Sequence, residues 1–196
     1  TLDRSSAASD VYKRQGIDQT RYDRRMRTDV VSEVETMLCS LRDVWDEESV
    51  DEYDHALQCG LRARADGADD ELLLAAVLHD IGHSPLIDDR RHHERAAQDW
   101  LTARFGRRVG WLAGRHVAAK KYLAATEPGY AGELSGVSID SLVAQGGPDA
   151  ADAPTTHAWW PDAVRLRRYD DAAKVPGAPA LTVEDVLEVA RRLQDG

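Results

Sequence analysis

Three side chains that can bind a metal ion follow a short apolar stretch in the middle of the chain. The apolar stretch is "LLLAAVL" at 72–78, and the three side chains are His79, Asp80 and His83. A histidine next to an aspartate offers adjacent nitrogen and oxygen ligands, and an aspartate that uses both oxygens can bridge two cations. We therefore expect a metal site where a buried helix ends, with Asp80 shared between two ions.

Further histidines occur in segments with helical patterns. Only His157 lies in a predicted loop, and any one of the others, taken alone, is more often a packed or surface histidine than a ligand. Imidazoles from neighbouring helices commonly complete metal sites in helical bundles, so the joint pattern favours a metal centre at helix ends that pack side by side. The six histidines on or just past predicted helices are His55, His79, His83, His92, His93 and His116.

The elements that must position these residues are helices. Apolar residues recur at three- and four-residue intervals, and almost no segment alternates with period two. Asp69 is the expected N-cap of the apolar helix, and Thr182 with Asp185 forms an expected capping pair. The predicted helices are one of about five turns that contains Val30 and Leu41, and helices at about 51–66, 69–81, 91–105, 107–124, 161–174 and 182–194.

The predicted fold class is all-α, a single helical bundle with a loop-rich segment around 125–160. That segment is rich in glycine and proline and too interrupted for a long helix. Residues 1–15 show no apolar periodicity, so we expect a non-native or disordered tail there and a domain over 20–196.

Composition narrows the classes of function. The chain has 196 residues and a formal net charge of −10, which fits one packed domain and argues against a nucleic-acid partner. Small anionic ligands remain possible, because a few local cations suffice for them. No apolar run approaches the length of a membrane helix. Cys39 and Cys59 lie in helical patterns, so we expect no disulfide and a cytoplasmic protein.

Beyond these patterns, the order of metal-competent residues resembles the HD-domain superfamily of metal enzymes in its form with two metals and six ligands. Five strings over roughly residues 30–180 are similar, more narrowly, to the phosphonate-degrading branch of the mixed-valence diiron oxygenases, relatives of myo-inositol oxygenase. These strings are "DEYDHALQCG", "LHDIGH", "HVAAKKYL", "SIDSLVAQGGP" and "LRRYDDAAKVPG".

The resemblance implies a set of ligands for two iron ions in a mixed-valence Fe²⁺/Fe³⁺ pair. It assigns His55, His79 and Asp170 to one iron and His93 and His116 to the other, with Asp80 as the bridge. From the residues alone, imidazole with carboxylate suits iron, manganese or zinc.

Two of these assignments compete with a neighbour in the sequence. Asp170 is preferred to Asp171 because an aromatic residue, Tyr169, precedes it as in the family. His93 is preferred to His92 because "HE" at 93–94 matches the family.

Substrate contacts are implied in the same way. His83 and Lys120 each lie four residues after a predicted ligand, which puts them on one helix face with it if the helix continues, and we assign both a catalytic and a substrate-binding role. A lysine alone is more often a surface residue, and a serine alone is often a helix cap. The remaining substrate-binding candidates are Ser138, Ser141 and Arg167 for the phosphonate and Glu48 for a cationic amine on the substrate.

One departure from the family lies upstream of His55. Relatives have a tyrosine ten residues before the first ligand that can occupy the open iron position, whereas this chain has Trp45 there. An indole ring cannot supply an oxygen ligand. Trp45 either packs as an ordinary helix-end residue or faces a cationic substrate group by cation–π attraction, with Glu48 beside it.

The function implied is that of a diiron oxygenase. With dioxygen as co-substrate, it would cleave the C–P bond of a small α-hydroxyphosphonate to give a carboxylic acid and inorganic phosphate. A hydrolase is the alternative, since two metals could activate a water that attacks a phosphate ester or a nucleotide. A non-catalytic binding or sensor domain is the third possibility. The expected partner is a small phosphonate, with neither nucleic acid nor membrane, and the oligomeric state is open.

Overall fold

The fold is all-α, as predicted. The computed structural model describes residues 19–45, 49–88 and 92–196, and within these ranges it contains ten α-helices, one 3₁₀ turn and no strand. The predicted tail at 1–15 lies outside the described residues. The helices are α1 (Gln19–Cys39), α2 (Glu52–Ala65), α3 (Asp70–Leu78), α4 (His93–Phe105), α5 (Arg107–Ala113), α6 (His116–Thr126), α7 (Tyr130–Glu133), α8 (Gly136–Ala144), α9 (Trp160–Ala172) and α10 (Val183–Asp195).

The apolar helix α3 lies at the centre of the bundle. All of its residues over 72–78 are at most 4% exposed, and it packs against α2, α4, α5, α9 and α10. A helix that is apolar on every side can be buried in this way without leaving polar groups in the core. The residues that follow α3 therefore lie in the interior rather than at the surface.

Two helix starts have the predicted caps, and a third has a cap that was not predicted. The Asp69 carboxylate accepts a hydrogen bond from the Leu72 backbone N–H at 2.9 Å. Thr182 and Asp185 form a reciprocal capping box at the start of α10. Asp51 caps α2 by accepting from the Asp54 backbone N–H at 2.9 Å. Each cap satisfies a donor that the first helical turn would leave without a partner.

Two predicted helices differ from the structure, one in length and one in continuity. The helix predicted over 69–81 ends at Leu78 and gives way to a 3₁₀ turn over Ile81–His83. The helix predicted over 107–124 is two helices, α5 and α6, because Gly114 ends α5. A Cβ atom at Gly114 would lie 2.8 Å from the Cβ atom of Gln98, so α5 ends against α4 at a position that only glycine fits.

The loop-rich segment contains the short helices α7 and α8. Ser135 caps α8 by accepting from the Ser138 backbone N–H at 3.1 Å. Tyr130 and Leu142 from this segment form a small apolar cluster with Leu123 of α6 and Leu134. The segment is therefore packed onto the bundle, and Ser141 accepts a hydrogen bond from Lys120 of α6. Among the described residues, no helix has both the length and the apolar character that a membrane crossing requires.

Gly82 is the closest approach between the 3₁₀ turn and α4. A Cβ atom there would lie 2.6 Å from the carbonyl carbon of His93. Gly82→Ala is expected to push the start of α4 away from the turn and to lower the free energy of unfolding by about 2 kcal/mol. Chemical denaturation and metal content of the purified variant are the measurements.

The matched control is Gly132→Ala in α7. A Cβ atom at Gly132 meets nothing within 4 Å. This variant should keep wild-type stability and metal content, and an equal loss in both variants would contradict the packing explanation.

Candidate metal centre

Three buried imidazoles turn the same ring nitrogen, Nε2, towards the Asp80 carboxylate. The Nδ1–H group of His55 donates to the Ala173 carbonyl at 3.0 Å, that of His79 to the Ala76 carbonyl at 2.8 Å, and that of His116 to the Ala113 carbonyl at 2.7 Å. A donated Nδ1–H fixes the tautomer, so the lone pair is on Nε2. The rings of His79 and His116 are thereby held with Nε2 facing Asp80, which is the usual arrangement of metal-binding histidines.

Asp80 lies between two groups of nitrogen atoms. Its Oδ2 atom is 2.9 Å from His79 Nε2 and 3.6 Å from His55 Nε2. Its Oδ1 atom is 3.4 Å from His116 Nε2 and 3.6 Å from His93 Nε2. One oxygen therefore faces each pair of histidines, as a carboxylate that bridges two cations requires.

The pair of His93 and His116 has the separation of two ligands of one ion. Their Nε2 atoms are 3.1 Å apart. Two nitrogens bound at about 2.1 Å and at a right angle lie about 3.0 Å apart. His92, the competing neighbour, has a side chain that is 72% exposed. The structure thus brings His93 to the cluster and leaves His92 outside it.

Asp170 completes the group around His55 and His79. Its Oδ1 atom is 3.5 Å from His55 Nε2, and its Oδ2 atom is 3.5 Å from His79 Nε2. Asp171, which competed for this position in the sequence, turns away and instead accepts hydrogen bonds from Arg167 and from the Tyr130 hydroxyl. The register therefore favours Asp170.

Arg167 is buried and joins both carboxylates. Its Nη1 atom donates to Asp170 Oδ2 at 2.6 Å, its Nη2 atom donates to Asp171, and its Nε atom donates to the Tyr130 hydroxyl oxygen at 3.1 Å. The Tyr130 hydroxyl donates in turn to Asp171 Oδ2 at 2.7 Å. Sequence reasoning missed Tyr130, because nothing in the loop-rich segment links it to α9. This network holds the Asp170 carboxylate in place.

The electrostatics of the cluster keep its carboxylates ionised. Burial opposes this, but the imidazoles of His79 and His116 outweigh it and hold the pKa of Asp80 well below its usual range. Burial likewise opposes ionisation of Asp170, yet Arg167 and Lys174 hold its pKa well below the usual range. For His79 burial lowers the pKa, but Asp80 and Asp170 raise it well above the usual value. A cation that binds here would replace the proton on His79 Nε2.

These donors fit metal ions. Two buried atoms in the cluster, His79 Nε2 and Asp80 Oδ1, have no hydrogen-bond partner, although buried polar groups almost always have one. A cation on each side of Asp80 would satisfy both atoms. Among the residues that the structure describes, three groups lie close enough together to hold an ion: His55, His79, Asp80 and Asp170; Asp80, His93 and His116; and His55, Cys59 and His79. Sequence reasoning assigned no cysteine to the site, so the third group is a new observation.

A small cavity of about 40 Å³ adjoins the cluster. The Lys120 ammonium donates to the Ser141 hydroxyl at 2.6 Å, and the Lys174 ammonium donates to the Ser138 hydroxyl at 2.8 Å. The His83 ring lies 4.3 Å from the His93 ring. The lining residues are Glu52, Asp80, His83, His93, His116, Lys120, Ser138, Ser141, Gln145, Arg167, Asp170 and Lys174.

Two residues upstream of α2 were also singled out from the sequence. Glu48 lies outside the described residues. Trp45 is described, but its side chain is 63% exposed, so it is not packed as an ordinary helix-end residue. Glu52, a buried carboxylate that lines the cavity, was not singled out from the sequence, where its position in the first turn of α2 suggests only a favourable helix charge.

Comparison with known proteins identifies the family. No family model matches the chain. A hydroxymethylphosphonate dioxygenase of Gimesia maris is 37% identical over 158 residues, which are 72% of this chain and 75% of the relative. A 1-hydroxy-2-(trimethylamino)ethylphosphonate dioxygenase (glycine-betaine-forming) of Leisingera caerulea is 36% identical over 138 residues, 65% of this chain and 70% of the relative. The chain belongs to the phosphonate dioxygenase family. This confirms the resemblance to the phosphonate-degrading branch of the HD-domain diiron oxygenases.

His93 and its sequence neighbour His92 make a matched pair of variants, because only His93 lies in the cluster. His93→Ala removes a nitrogen 3.6 Å from Asp80 and is expected to lower the metal content by about one ion per chain, because one side of Asp80 keeps a single imidazole. His92→Ala alters an exposed side chain and should leave metal content unchanged. Mass-spectrometric metal counting on purified protein is the measurement. Equal metal content in the two variants would remove His93 from the site.

Proposed function

We propose that the chain is a diiron oxygenase that cleaves the C–P bond of a small α-hydroxyphosphonate with dioxygen, giving a carboxylic acid and inorganic phosphate. The carbon that bears the hydroxyl loses its hydrogen and its bond to phosphorus; the carbon and the phosphorus each gain one oxygen atom, and the four electrons that the substrate loses reduce one dioxygen. The observation that carries the proposal is the division of the Asp80 oxygens, at 2.9–3.6 Å, between two pairs of imidazoles in a phosphonate dioxygenase.

The proposed ligands follow from this division. His55, His79 and Asp170 would hold one iron, and His93 and His116 would hold the other, with Asp80 shared between them. Iron in a mixed Fe²⁺/Fe³⁺ pair supplies the electrons with which dioxygen is activated. The protein holds these ligands by the Nδ1–H bonds of its histidines and by the Arg167 contact to Asp170.

A doubly charged phosphonate is held by the cations of the cavity. The ammonium groups of Lys120 and Lys174 are each fixed by a serine hydroxyl of α8, Ser141 and Ser138, which lie three residues apart on one face of the helix. Charged donors to phosphonate oxygens make hydrogen bonds about twice as strong as neutral ones. We therefore add Lys174 to the proposed substrate-binding residues. From the sequence alone, Lys120 was the only lysine assigned this role.

His83 and Arg167 contribute differently. The His83 Nε2 atom is 3.9 Å from Asp80 Oδ1, so its ring stands beside the His93 and His116 side of the centre, where it can donate to a substrate oxygen. Arg167 also lines the cavity, but its three donor nitrogens already serve Asp170, Asp171 and Tyr130. Its principal role is to neutralise and orient Asp170, and its contact with the phosphonate is secondary.

The names of both relatives favour an oxygenase over the phosphohydrolase that the same six ligands would permit. The test is phosphate release from iron-reconstituted protein with a panel of α-hydroxyphosphonates, with and without oxygen. Release is expected only with oxygen, with one dioxygen consumed per phosphate. Asp80→Asn should lower the rate by more than about 100-fold, since even an outer partner of a metal ligand is worth 10–100-fold.

His92→Ala, at an exposed position, is the matched control and should retain the wild-type rate. Phosphate release from a phosphate ester without oxygen would replace the oxygenase by the hydrolase.

The charge of the Lys120 ammonium should make kcat/KM depend on pH. Burial, with Arg167 nearby, lowers the pKa of Lys120 to about 8. The ammonium that attracts the phosphonate is present below that pH and is lost above it, so kcat/KM should fall as the pH rises through about 8. Lys120→Arg keeps its charge at all these pH values and is expected to remove this fall, at the expense of a lower maximum.

Lys121→Ala is the neighbouring control, since Lys121 pairs with Asp149 at 3.6 Å and does not line the small cavity. Its pH profile should match that of the wild type. A Lys120→Arg profile with the same alkaline fall would assign the fall to another group.

A further inference from the structure

Tyr130 is a buried tyrosine whose hydroxyl both donates and accepts a hydrogen bond beside the metal centre. It is 3% exposed and lies in α7, the four-residue helix of the loop-rich segment. Its hydroxyl donates to Asp171 Oδ2 at 2.7 Å and accepts from Arg167 Nε at 3.1 Å. Both partners belong to α9, so this one hydroxyl joins the loop-rich segment to the helix that bears the ligand candidate Asp170.

The ring of Tyr130 is held independently of its hydroxyl. It packs in the small apolar cluster with Leu123, Leu134 and Leu142. The Arg168 guanidinium lies over its face, 5.1 Å from the ring centroid. A phenylalanine keeps these contacts, so Tyr130→Phe removes the two hydrogen bonds of the hydroxyl and leaves the packing in place.

The guanidinium of Arg167 is fixed by three partners. Its Nη1 atom donates to Asp170 Oδ2 at 2.6 Å, its Nη2 atom donates to Asp171, and its Nε atom donates to Tyr130. Because the guanidinium is planar and its donors form a rigid fork, three partners fix both its position and its plane. The side chain is 3% exposed, so water has little access to replace a lost partner. Loss of the Tyr130 hydroxyl leaves a buried N–H group without its acceptor and favours a turn of the guanidinium out of this plane.

The position of the guanidinium decides where the Asp170 carboxylate lies. The oxygen that accepts from Arg167, Oδ2, is also the one that lies 3.5 Å from His79 Nε2. The other oxygen, Oδ1, lies 3.5 Å from His55 Nε2. Metal–ligand distances tolerate deviations of only about 0.2 Å, so a turn that draws Oδ2 away weakens the hold on an ion between these three side chains.

The opposite side of the centre is held by other contacts. The His116 Nδ1–H group donates to the Ala113 carbonyl at 2.7 Å, and His93 begins α4 against the 3₁₀ turn. Among the described residues, the hydrogen bonds of Arg167 reach neither His93 nor His116. A turn of the guanidinium therefore acts on one side of the centre only.

We propose that Tyr130 is a positioning residue for one of the two ions. Acting through Arg167 on Asp170, its hydroxyl sets the affinity of the site that Asp170 shares with His55 and His79. The inference rests on the proposed metal centre and extends it, because the loop-rich segment then controls one ion and not the other. Outer partners of metal ligands are commonly worth about 10–100-fold in metal affinity.

The two sides are measured separately, each in a variant that keeps one ion. His93→Ala retains the side of His55, His79 and Asp170, and His55→Ala retains the opposite side. The probe is Mn²⁺ added to the metal-free full-length protein, because imidazole with carboxylate suits this ion and the electron paramagnetic resonance signal of free Mn²⁺ is lost on binding.

Tyr130→Phe is expected to raise the dissociation constant of Mn²⁺ by about 10–100-fold in the His93→Ala background. In the His55→Ala background the same change should alter the constant by less than about threefold, because the remaining ion does not depend on Asp170. A residue with a merely structural role would weaken both sites together. Circular dichroism checks that each variant is folded.

Tyr122→Phe is the matched control. The ring of this α6 tyrosine packs edge-on against Trp160, with centroids 5.4 Å apart, and Arg167 donates no hydrogen bond to it. The control should leave the Mn²⁺ affinity unchanged in both backgrounds.

Equal weakening by Tyr130→Phe in the two backgrounds would overturn the proposal, and so would an unchanged affinity in His93→Ala. Absence of Mn²⁺ binding in both single variants would overturn it as well, since neither ion would then be held as described. The titration involves no oxygen and no turnover, so its failure is separate from that of the proposed function. Selective weakening without oxygen-dependent phosphate release would keep the role of Tyr130 and remove the oxygenase, and the reverse result would do the opposite.

Discussion

The Asp80 carboxylate presents one oxygen to each of two pairs of imidazoles, and the packing of the bundle serves to hold that one side chain in position. The apolar helix α3 is buried on every side, so the residues after it emerge in the interior. The 3₁₀ turn then touches the start of α4 so closely that Gly82 has no room for a side chain. Helices α2, α4, α6 and α9 each bring a ligand candidate to this point.

A buried cluster of charges of this kind is costly to desolvate and is stable only when the charges are paired. The carboxylates of Asp80 and Asp170 are ionised, and Asp171 adds a third close by. Arg167 and Lys174 offset part of this charge on the protein's side. Metal ions beside Asp80 would supply further positive charge and would also satisfy His79 Nε2 and Asp80 Oδ1. Metal binding and folding stability should therefore be strongly coupled in this protein.

The parts of this arrangement that depend on local sequence could be predicted. Helix caps at Asp69 and Thr182 and the buried character of 72–78 follow from the residues themselves. The break between α5 and α6 could not be predicted, because it depends on how closely Gly114 approaches Gln98 of another helix. Tyr130 was missed for the same reason, since its partners lie more than thirty residues away on α9. Contacts of this kind exist only after the chain has folded.

The two sides of the centre differ in what can reach them. Among the described residues, the lining of the small cavity includes Asp80, His93 and His116 but neither His55 nor His79. His93 also lines a larger neighbouring cavity of about 780 Å³, together with Gln145, so the two cavities meet at this histidine. The ammonium groups of Lys120 and Lys174 also line the small cavity, and Lys174 lies 3.5 Å from Asp170 Oδ1, so the cavity reaches Asp170 of the other side as well. The imidazoles of His55 and His79 are enclosed, with the Cys59 thiol against His55, so of the three residues grouped on that side only Asp170 borders the cavity.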